Sequence, residues 1–163
     1  MNKFEKVSYE QFKKDCLELI DTNLDEEWLY NIYCSIKLPQ RATYNSAGYD
    51  FFTPFELSLD NEWLTIPTGI RWVCDEPKVL LIAPRSGQGF KYGLSLRNTI
   101  GVIDSDYCNA ANEGHIMAKI SVEKDCIIEQ GKGFIQGIIV PFAVTQSEEN
   151  TFQIRTGGFG STD

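Results

Sequence analysis

The stretch WLTIPTGIRWVCDEPKVLLIAP, residues 63–84, decides the fold of this chain. It contains three short apolar segments, and each one ends at a proline, a glycine or an acidic pair that is typical of a turn. Short apolar segments bounded by turn signals are typical of β-strands. The stretch therefore predicts a chain that is built mainly from strands.

The same pattern extends over residues 32–141, where prolines and glycines recur about every 8 to 12 residues. This spacing predicts an all-β sandwich or barrel. Strands and helices do not alternate, so we do not expect a parallel doubly wound sheet. After Pro141 the composition becomes polar, and we do not expect the tail to pack on its own. Further segments of this kind are SIKLP, YDFFTPF, GHIMAKISV and FIQGIIVPF.

Two helices are predicted before the strands begin. Ser8 can cap the first helix, since Gln11 follows three residues later in a capping-box spacing. Asn23 and Glu26 offer a second start. We interpret residues 8–33 as a helical extension that packs on the body or on a neighbouring subunit, and a protein partner is the alternative. Apolar residues recur on one face of the first helix: Tyr9, Phe12, Cys16, Leu19 and Ile20.

The chain has 163 residues, of which 42% are apolar, and this fits one domain with a real core. A net charge of −8 disfavours a general nucleic-acid binder, which needs a basic face to displace counterions. A small anionic ligand stays compatible, because it needs only a local cluster of cations or amide donors.

No apolar run reaches the roughly 20 residues that a membrane span needs, and the first residues lack the apolar core of a secretion signal. The single histidine, His115, disfavours a histidine-based metal site or a Ser-His triad. Without a C-x-x-C pair, we expect free thiols in a reducing cytoplasm for all five cysteines: Cys16, Cys34, Cys74, Cys108 and Cys126.

Two stretches offer groups that could hold an anion. SAGYD ends in Asp50, which on its own is most simply a turn former. In APRSGQG, a proline closes an apolar strand, and Arg85, Ser86 and Gly87 then present a guanidinium, a hydroxyl and an unobstructed backbone. These are the donors that a phosphate binds.

A third stretch, LRNTIGVIDSDY, could turn a hairpin between Asn98 and Gly101. Asp104 follows the apolar pair Val102 and Ile103, so we expect it to be partly desolvated and able to act as a general base for water. The alternative is an Asp-Ser-Asp turn without chemistry.

A fourth stretch, FIQGIIVP, places the amide of Gln136 inside an apolar strand. An unpaired buried amide costs about 1–3 kcal/mol, so Gln136 needs either a structural partner or a ligand.

In their order and spacing, SAGYD, PRSG, GVIDSDY, the Gln136 strand and GGFGST resemble the five motifs of the trimeric dUTPase family. The resemblance extends from about Arg41 to Asp163. It implies a mainly β fold, a distorted jelly-roll-like barrel, and a homotrimer in which every active site takes motifs from all three chains. It also implies hydrolysis of dUTP to dUMP and pyrophosphate with Mg²⁺.

By this resemblance, Asp104 is the base that activates water for in-line attack on the α-phosphorus. Asn98 and the backbone through Gly101 would bind the uracil edge, and Tyr107 would lie under the deoxyribose and block a 2′-hydroxyl. A second chain would supply phosphate contacts, with a further amide donor on the fourth motif: Arg85, Ser86, Gly87 and Gln136.

We expect three parts in the chain: a helical extension outside the family pattern (residues 1–31), and, by the resemblance, a β domain (residues 32–145) and a mobile arm (residues 146–163). In the arm, Arg155 would neutralise charge on the phosphates and Phe159 would stack on the uracil. Gly160 would let the backbone approach the nucleotide, and two hydroxyl residues would cap the γ-phosphate: Ser161 and Thr162.

The resemblance implies that Mg²⁺ is held through the substrate phosphates and water, with no protein ligand. Asp50 would touch that water shell or only stabilise its turn, and we favour the turn. The chain departs from the family pattern after Tyr107, where CNAANEGHI replaces Arg-Gly, and at Lys132–Gly133, where an acidic-Arg pair is usual. The RTGG of the arm is also one residue shorter than usual.

Two other functions are compatible with such a fold. A dCTP deaminase would use a glutamate after a QGR-like stretch, which GVIDSDY does not match. A regulatory module without catalysis would use the helical extension on a protein partner, and it could also accompany catalysis. Asn109, Asn112 and Glu113 are candidates to replace the missing arginine of the third motif.

Overall fold

A computed structural model describes residues 1–145, and these form a mainly β protein in which every strand pairing is antiparallel. The strands are β1 (Asn2–Lys6), β2 (Gln40–Arg41), β3 (Gly48–Phe52), β4 (Leu57–Leu59), β5 (Leu64–Pro67), β6 (Ile70–Cys74), β7 (Lys78–Pro84), β8 (Ser95–Leu96), β9 (Gly101–Asp104), β10 (Met117–Ser121), β11 (Cys126–Ile128) and β12 (Gly133–Pro141). The helices are α1 (Tyr9–Leu19), α2 (Glu26–Ser35) and α3 (Ser86–Tyr92), with a 3₁₀ helix at Ser105–Asn109.

The largest sheet has five strands in the order β2-β3-β12-β7-β9. The central strand β12 brings two distant segments together, since Gln136 pairs with Asp50 on one side and with Ala83 on the other. The first residues of β12 are buried, and this explains why the sequence FIQGII is almost continuously apolar.

Three smaller sheets complete the β structure, in the orders β5-β10-β8, β1-β6 and β4-β11. The sheets are not closed into one barrel, and a jelly-roll-like arrangement is compatible with them. One apolar core joins the sheets, and its largest fully buried side chains include Trp72, Phe51 and Phe134. The prediction of a mainly β fold is confirmed.

Both predicted helices are present. Ser8 caps α1, because its side chain accepts a hydrogen bond of 3.2 Å from the backbone N–H of Gln11. The start expected at Asn23 is wrong by two residues. Asp25 caps α2 instead, with its carboxylate 2.8 Å from the N–H of Trp28.

The strand β1 is missing from the sequence prediction. Its residues NKFEK contain one apolar side chain, so no alternation of apolar and polar residues is available to detect it. Pairing with β6 makes it a strand, with Phe4 opposite Trp72.

The N-terminal helices pack on the body of their own chain. Phe12 and Cys16 are fully buried, and Leu29 of α2 belongs to the same core as the strands. Leu19 is 37% exposed, so the buried stripe is narrower than predicted. A protein partner for this segment stays a prediction.

A second element that the sequence prediction missed is α3, which begins directly after PR in APRSGQG. Two glycines lower the helix propensity of SGQGFKY, so its sequence resembles a loop. Gly93 ends the helix in the left-handed conformation with φ of 67°.

Within residues 1–145, none of the helices has the length and apolar character needed to cross a membrane. All five cysteines are free thiols.

Candidate active site

A cavity of about 300 Å³ lies where the five-stranded sheet meets the sheet β5-β10-β8. Leu96 and Met117 line it from the smaller sheet, and Ile82 lines it from the larger one. The structure gathers four of the predicted site residues around this cavity: Asn98, Gly101, Asp104 and Tyr107.

The turn between β8 and β9 forms one wall of the cavity. It is tight, because the N–H of Ile100 donates to the carbonyl of Asn98 over 2.6 Å, and Thr99 takes a φ of 64°. This conformation is strained for a β-branched residue. The two arms of the turn do not form the predicted hairpin, since β8 pairs with β10 and β9 pairs with β7. The turn instead joins two sheets, and the cavity opens between them.

Gly101 allows β9 to lie close to β7 at the cavity. A Cβ atom at this position would lie 2.9 Å from Cβ of Ile82, which is closer than packed carbon atoms come. The wall next to Asn98 is therefore formed by backbone that a larger residue would displace.

Asp104 ends β9 at the cavity, but its surroundings differ from the expectation. Val102 is 57% exposed and Asp104 is itself exposed, so the carboxylate does not follow a buried pair in the single chain. The reason is topological, because β9 is an edge strand whose pairing partner lies on one side only. Desolvation of Asp104 would have to come from a neighbouring chain or from bound substrate.

Tyr107 is 6% exposed and lines the cavity. Its hydroxyl donates to the backbone carbonyl of His115 over 3.1 Å and accepts from Nδ2 of Asn112 over 2.8 Å. Asn112 was one of three candidates to replace the missing arginine, and it contacts the tyrosine directly. The longer turn after the third motif therefore supports Tyr107 through its own residues.

A second group of predicted residues lies at the other end of β7. Nε of Arg85 lies 3.0 Å from Oδ1 of Asp50, and Nη1 of Arg85 donates to the carbonyl of Gly133 over 3.3 Å. The interpretation of Asp50 as a turn former is wrong, since it lies within β3 and binds the arginine. Gly133 makes room for the guanidinium, because a Cβ there would lie 2.5 Å from Nη1 of Arg85.

Gln136 finds a structural partner, because its Nε2 donates to the carbonyl of Pro84 over 3.2 Å. The same amide carries a second N–H donor. Ser86 and Gly87 begin α3 directly after Arg85 and are exposed. A Cβ on Gly87 would meet no atom within 4 Å, so the surface is open at this point.

One chain does not bring the two groups together. Asp104 pairs with Val79 and Gln136 pairs with Ala83, which lies four residues further along β7. At about 3.3 Å per residue, this separates them by roughly 13 Å along the strand, and they also lie on opposite sides of β7. A nucleotide in the cavity would therefore need phosphate contacts from elsewhere.

Sequence reasoning missed a buried pair behind Tyr107. Nδ1 of His115 lies 2.5 Å from Oδ2 of Asp15, and both side chains are buried. The two residues are 100 positions apart, so no local pattern could have indicated the pair.

Over residues 1–145 the structure contains no group of three or more His, Cys, Asp or Glu side chains that could hold a metal ion. The donors near the cavity therefore do not form a protein-only metal site. The predicted residues of the arm lie outside the described part of the chain: Arg155, Phe159, Gly160, Ser161 and Thr162.

Comparison with solved structures places the chain among known folds. The crystal structure of a dUTPase from Streptococcus mutans is 31% identical, with a TM-score of 0.62, and the match covers 89% of this chain and 99% of that one. A variant dUTPase from phage phi11 of S. aureus is 22% identical, with a TM-score of 0.57 over 71% of this chain and 90% of that one. Its description mentions a structural Mg(II) ion.

Comparison with curated proteins and family models agrees with the structures. A deoxyuridine 5′-triphosphate nucleotidohydrolase from Lactococcus lactis is 40% identical over 138 residues, which are 78% of this chain and 88% of the relative. One from Photorhabdus laumondii is 32% identical over 160 residues, which are 91% of this chain and 95% of that relative. A family model described as dUTPase matches residues 35–163. The motifs around the cavity and the matches over most of the sequence together show that this chain belongs to the dUTPase family.

Proposed function

We propose that this chain hydrolyses dUTP to dUMP and pyrophosphate, and so acts in nucleotide metabolism. The observation that supports this best is the cavity. In a member of the dUTPase family, it brings together the tight turn at Asn98, the carboxylate of Asp104 and the buried Tyr107. Its volume of about 300 Å³ is at the lower end of the range for small-molecule sites.

The turn of residues 97–100 recognises the uracil. Backbone groups of the turn and the amide of Asn98 pair with the polar edge of the base. Because the turn is tight and Gly101 lies against Ile82, the wall has no space for the methyl group of thymine. Cytosine presents a donor where uracil presents an acceptor, and it would leave buried polar groups unpaired.

The ring of Tyr107 lies under the deoxyribose and excludes a ribose 2′-hydroxyl. Two hydrogen bonds on its hydroxyl group stabilise the orientation of the ring.

Asp104 accepts a proton from the attacking water at its carboxylate. The water oxygen then forms a bond to the α-phosphorus while the bond to the bridging oxygen of the β-phosphate breaks, and pyrophosphate leaves with the electron pair. General-base assistance of this kind is worth about 10²–10⁴ in rate.

The phosphates contact a second chain in a homotrimer with shared active sites. Arg85 provides a guanidinium that Asp50 and Gly133 already orient, and Ser86 and Gly87 provide neighbouring donors on an open surface. Gln136 adds an amide N–H. The separation of roughly 13 Å between the two groups along β7 supports sharing between chains.

Mg²⁺ bound to the phosphates would neutralise part of their charge and assist the departure of pyrophosphate. Held through phosphates and water, the ion would need no protein ligand. The donor set is compatible with this arrangement, since residues 1–145 contain no group of three or more His, Cys, Asp or Glu side chains that could hold the ion alone.

We also propose that residues 146–163 form the arm; the predicted bound between extension and β domain at residues 31/32 falls within α2, and the extension packs on the same core as the β domain. Arg155 and Phe159 of the arm would contact the phosphates and the uracil. Gly160 would let the backbone approach the nucleotide, and the hydroxyls of Ser161 and Thr162 would cap the γ-phosphate. Free thiols on all five cysteines support a cytoplasmic location.

The test is release of pyrophosphate by the full chain with Mg²⁺ and, in turn, dUTP, dTTP, dCTP and UTP. We expect kcat/KM for dUTP to exceed the other values by at least about 10². Equal rates with dUTP and UTP, or no release from dUTP, would contradict the proposal. Release of ammonia from dCTP would instead support a deaminase.

A further inference from the structure

We propose that Asp15 and Glu113 are positioning residues for Tyr107, and that helix α1 thereby controls discrimination between deoxyribose and ribose. This inference depends on the proposed function, because it assigns Tyr107 to the sugar. Neither Asp15 nor Glu113 lines the cavity. They act through the segment of residues 107–115, which we call the tyrosine turn.

The tyrosine turn is attached to α1 at its cap. The carboxylate of Glu113 accepts hydrogen bonds from the backbone N–H of Ser8 over 2.7 Å and from the Ser8 hydroxyl over 2.5 Å. Glu113 has a φ of 59°, which a non-glycine residue rarely adopts. In this conformation the Glu113 carboxylate makes both hydrogen bonds to Ser8 at the start of α1, and these offset the cost of the unusual φ.

A second attachment lies one to two turns further along α1. The backbone N–H of Gly69 donates to Nε2 of His115 over 2.7 Å, so the ring proton is on Nδ1 and donates to Asp15. Gln11 also donates to Asp15, over 2.8 Å. His115 is fully buried and Asp15 is 5% exposed, so neither group can turn to water. The pair therefore holds one orientation of the imidazole.

The backbone of the tyrosine turn transmits this orientation to Tyr107. The carbonyl of His115 accepts from the Tyr107 hydroxyl, and the N–H of His115 donates to the carbonyl of Asn112 over 3.0 Å. Asn112 in turn donates to the same hydroxyl.

Gly114 packs this turn tightly, since a Cβ there would lie 2.7 Å from the carbonyl oxygen of Tyr107. A shift of His115 must therefore move the tyrosine.

The test compares Asp15→Ala with Asp15→Asn and with Cys16→Ala. Asp15→Ala removes the acceptor for Nδ1–H, whereas asparagine keeps an acceptor oxygen at the same place. Cys16→Ala is the matched control, because it removes buried volume from the same helix and leaves the Asp15 acceptor of His115 in place. The readout is the ratio of kcat/KM for dUTP to kcat/KM for UTP, with the melting temperature measured in parallel.

We expect Asp15→Ala to lower the dUTP/UTP ratio by about tenfold or more, and Asp15→Asn to keep most of it. Cys16→Ala should lower the melting temperature and leave the ratio unchanged. A lower melting temperature with an unchanged ratio in Asp15→Ala would overturn the proposal. If Asp15→Ala does not fold, Glu113→Ala decides, because Glu113 is partly exposed and its loss should also lower the ratio.

A spectroscopic arm separates this proposal from the proposed function. His115 is the only histidine, so the ¹⁵N spectrum of imidazole reports on this ring alone. We expect the Nδ1–H form in the full chain and a shift of its resonance on saturation with dUMP. Bound dUMP without any such shift would refute the positioning role. A chain that neither binds dUMP nor hydrolyses dUTP would refute the proposed function instead.

Discussion

Nε of Arg85 lies 3.0 Å from Oδ1 of Asp50, which joins the second motif to the first across the five-stranded sheet. Asp50 is 16% exposed and Arg85 is 39% exposed, so the carboxylate is the buried member and the guanidinium reaches the surface. Asp50 also pairs with Gln136 in register, and a carbonyl next to Arg85 accepts from that amide. A strand residue thus orients a cation that can contact phosphate.

Asp50→Asn should raise KM for dUTP by about tenfold with little loss of stability. The guanidinium loses its charged partner and samples other rotamers, while asparagine keeps a hydrogen-bond acceptor at the same place, and an ion pair that reaches the surface contributes only about 1 kcal/mol to folding. Steady-state kinetics and thermal unfolding measure both effects. Glu76→Ala, which breaks the surface pair with Lys78, is the control and should change neither. An unchanged KM in Asp50→Asn would show that Asp50 does not orient Arg85.

Asp104→Asn should reduce kcat by about 10²–10⁴ and leave the affinity for nucleotide near the parent value. The amide cannot accept the proton of the attacking water at neutral pH. Pyrophosphate release and dUMP titration measure the two quantities. Asp106→Asn is the matched control, since Asp106 lies two residues away and outside the cavity. Turnover near the parent rate in Asp104→Asn would remove Asp104 from the mechanism.

Gly101→Ala should destabilise the fold by about 1–3 kcal/mol and weaken binding of dUTP. Its Cβ would press on Cβ of Ile82, so β9 must move away from β7 and the cavity wall moves with it. Denaturant unfolding provides the free energy, and Gly87→Ala provides the control. Alanine meets nothing at position 87, so this variant should be as stable as the parent or slightly more so. Equal stability of the two variants would contradict the packing argument.

The stability of the chain should fall as the pH is lowered below about 5, and Asp15→Asn should reduce this dependence. Burial raises the pKa of Asp15, but the hydrogen bonds from His115 and Gln11 outweigh burial, and the pKa of this carboxyl lies below its usual range. A carboxyl with a lowered pKa in the folded state stabilises above its unfolded pKa and loses this contribution as the pH falls through the folded value.

Glu113 acts in the same direction. Burial raises the pKa of its carboxyl, but the two hydrogen bonds from Ser8 outweigh burial and hold this pKa below its usual range. Urea unfolding between pH 7 and about pH 3 measures the effect. If the free energy of unfolding depends on pH in the same way in the parent and in Asp15→Asn, Asp15 does not contribute to the loss of stability at low pH.

Deletion of residues 155–163 should abolish turnover while the fold persists. Residues 1–145 contain strands β1 to β12 and the cavity, and the deletion leaves them intact, so thermal unfolding should change little. Circular dichroism and pyrophosphate release test the two halves of this expectation. An active truncated chain would contradict the assignment of Arg155 and Phe159 to the nucleotide.

Much of the architecture could be predicted because its signals are local. Turn residues around the apolar segments predicted the strands, and Ser8 with Gln11 predicted the first helix at its correct start. Where the local signal is weak, the prediction failed. NKFEK has too few apolar residues to indicate β1, and two glycines in SGQGFKY concealed α3.

The candidate site shows the same division. The sequence by itself determined which side chains are available, from Asn98 to Tyr107 and from Arg85 to Gly87, because each motif lies within a few neighbouring residues. Only the tertiary structure decided which of them meet. It paired Asp50 with Arg85, placed Asp104 on an exposed edge and buried His115 against Asp15, 100 residues away. Such contacts depend on strand register and on core packing, which arise from the whole chain and leave no periodicity in any short segment.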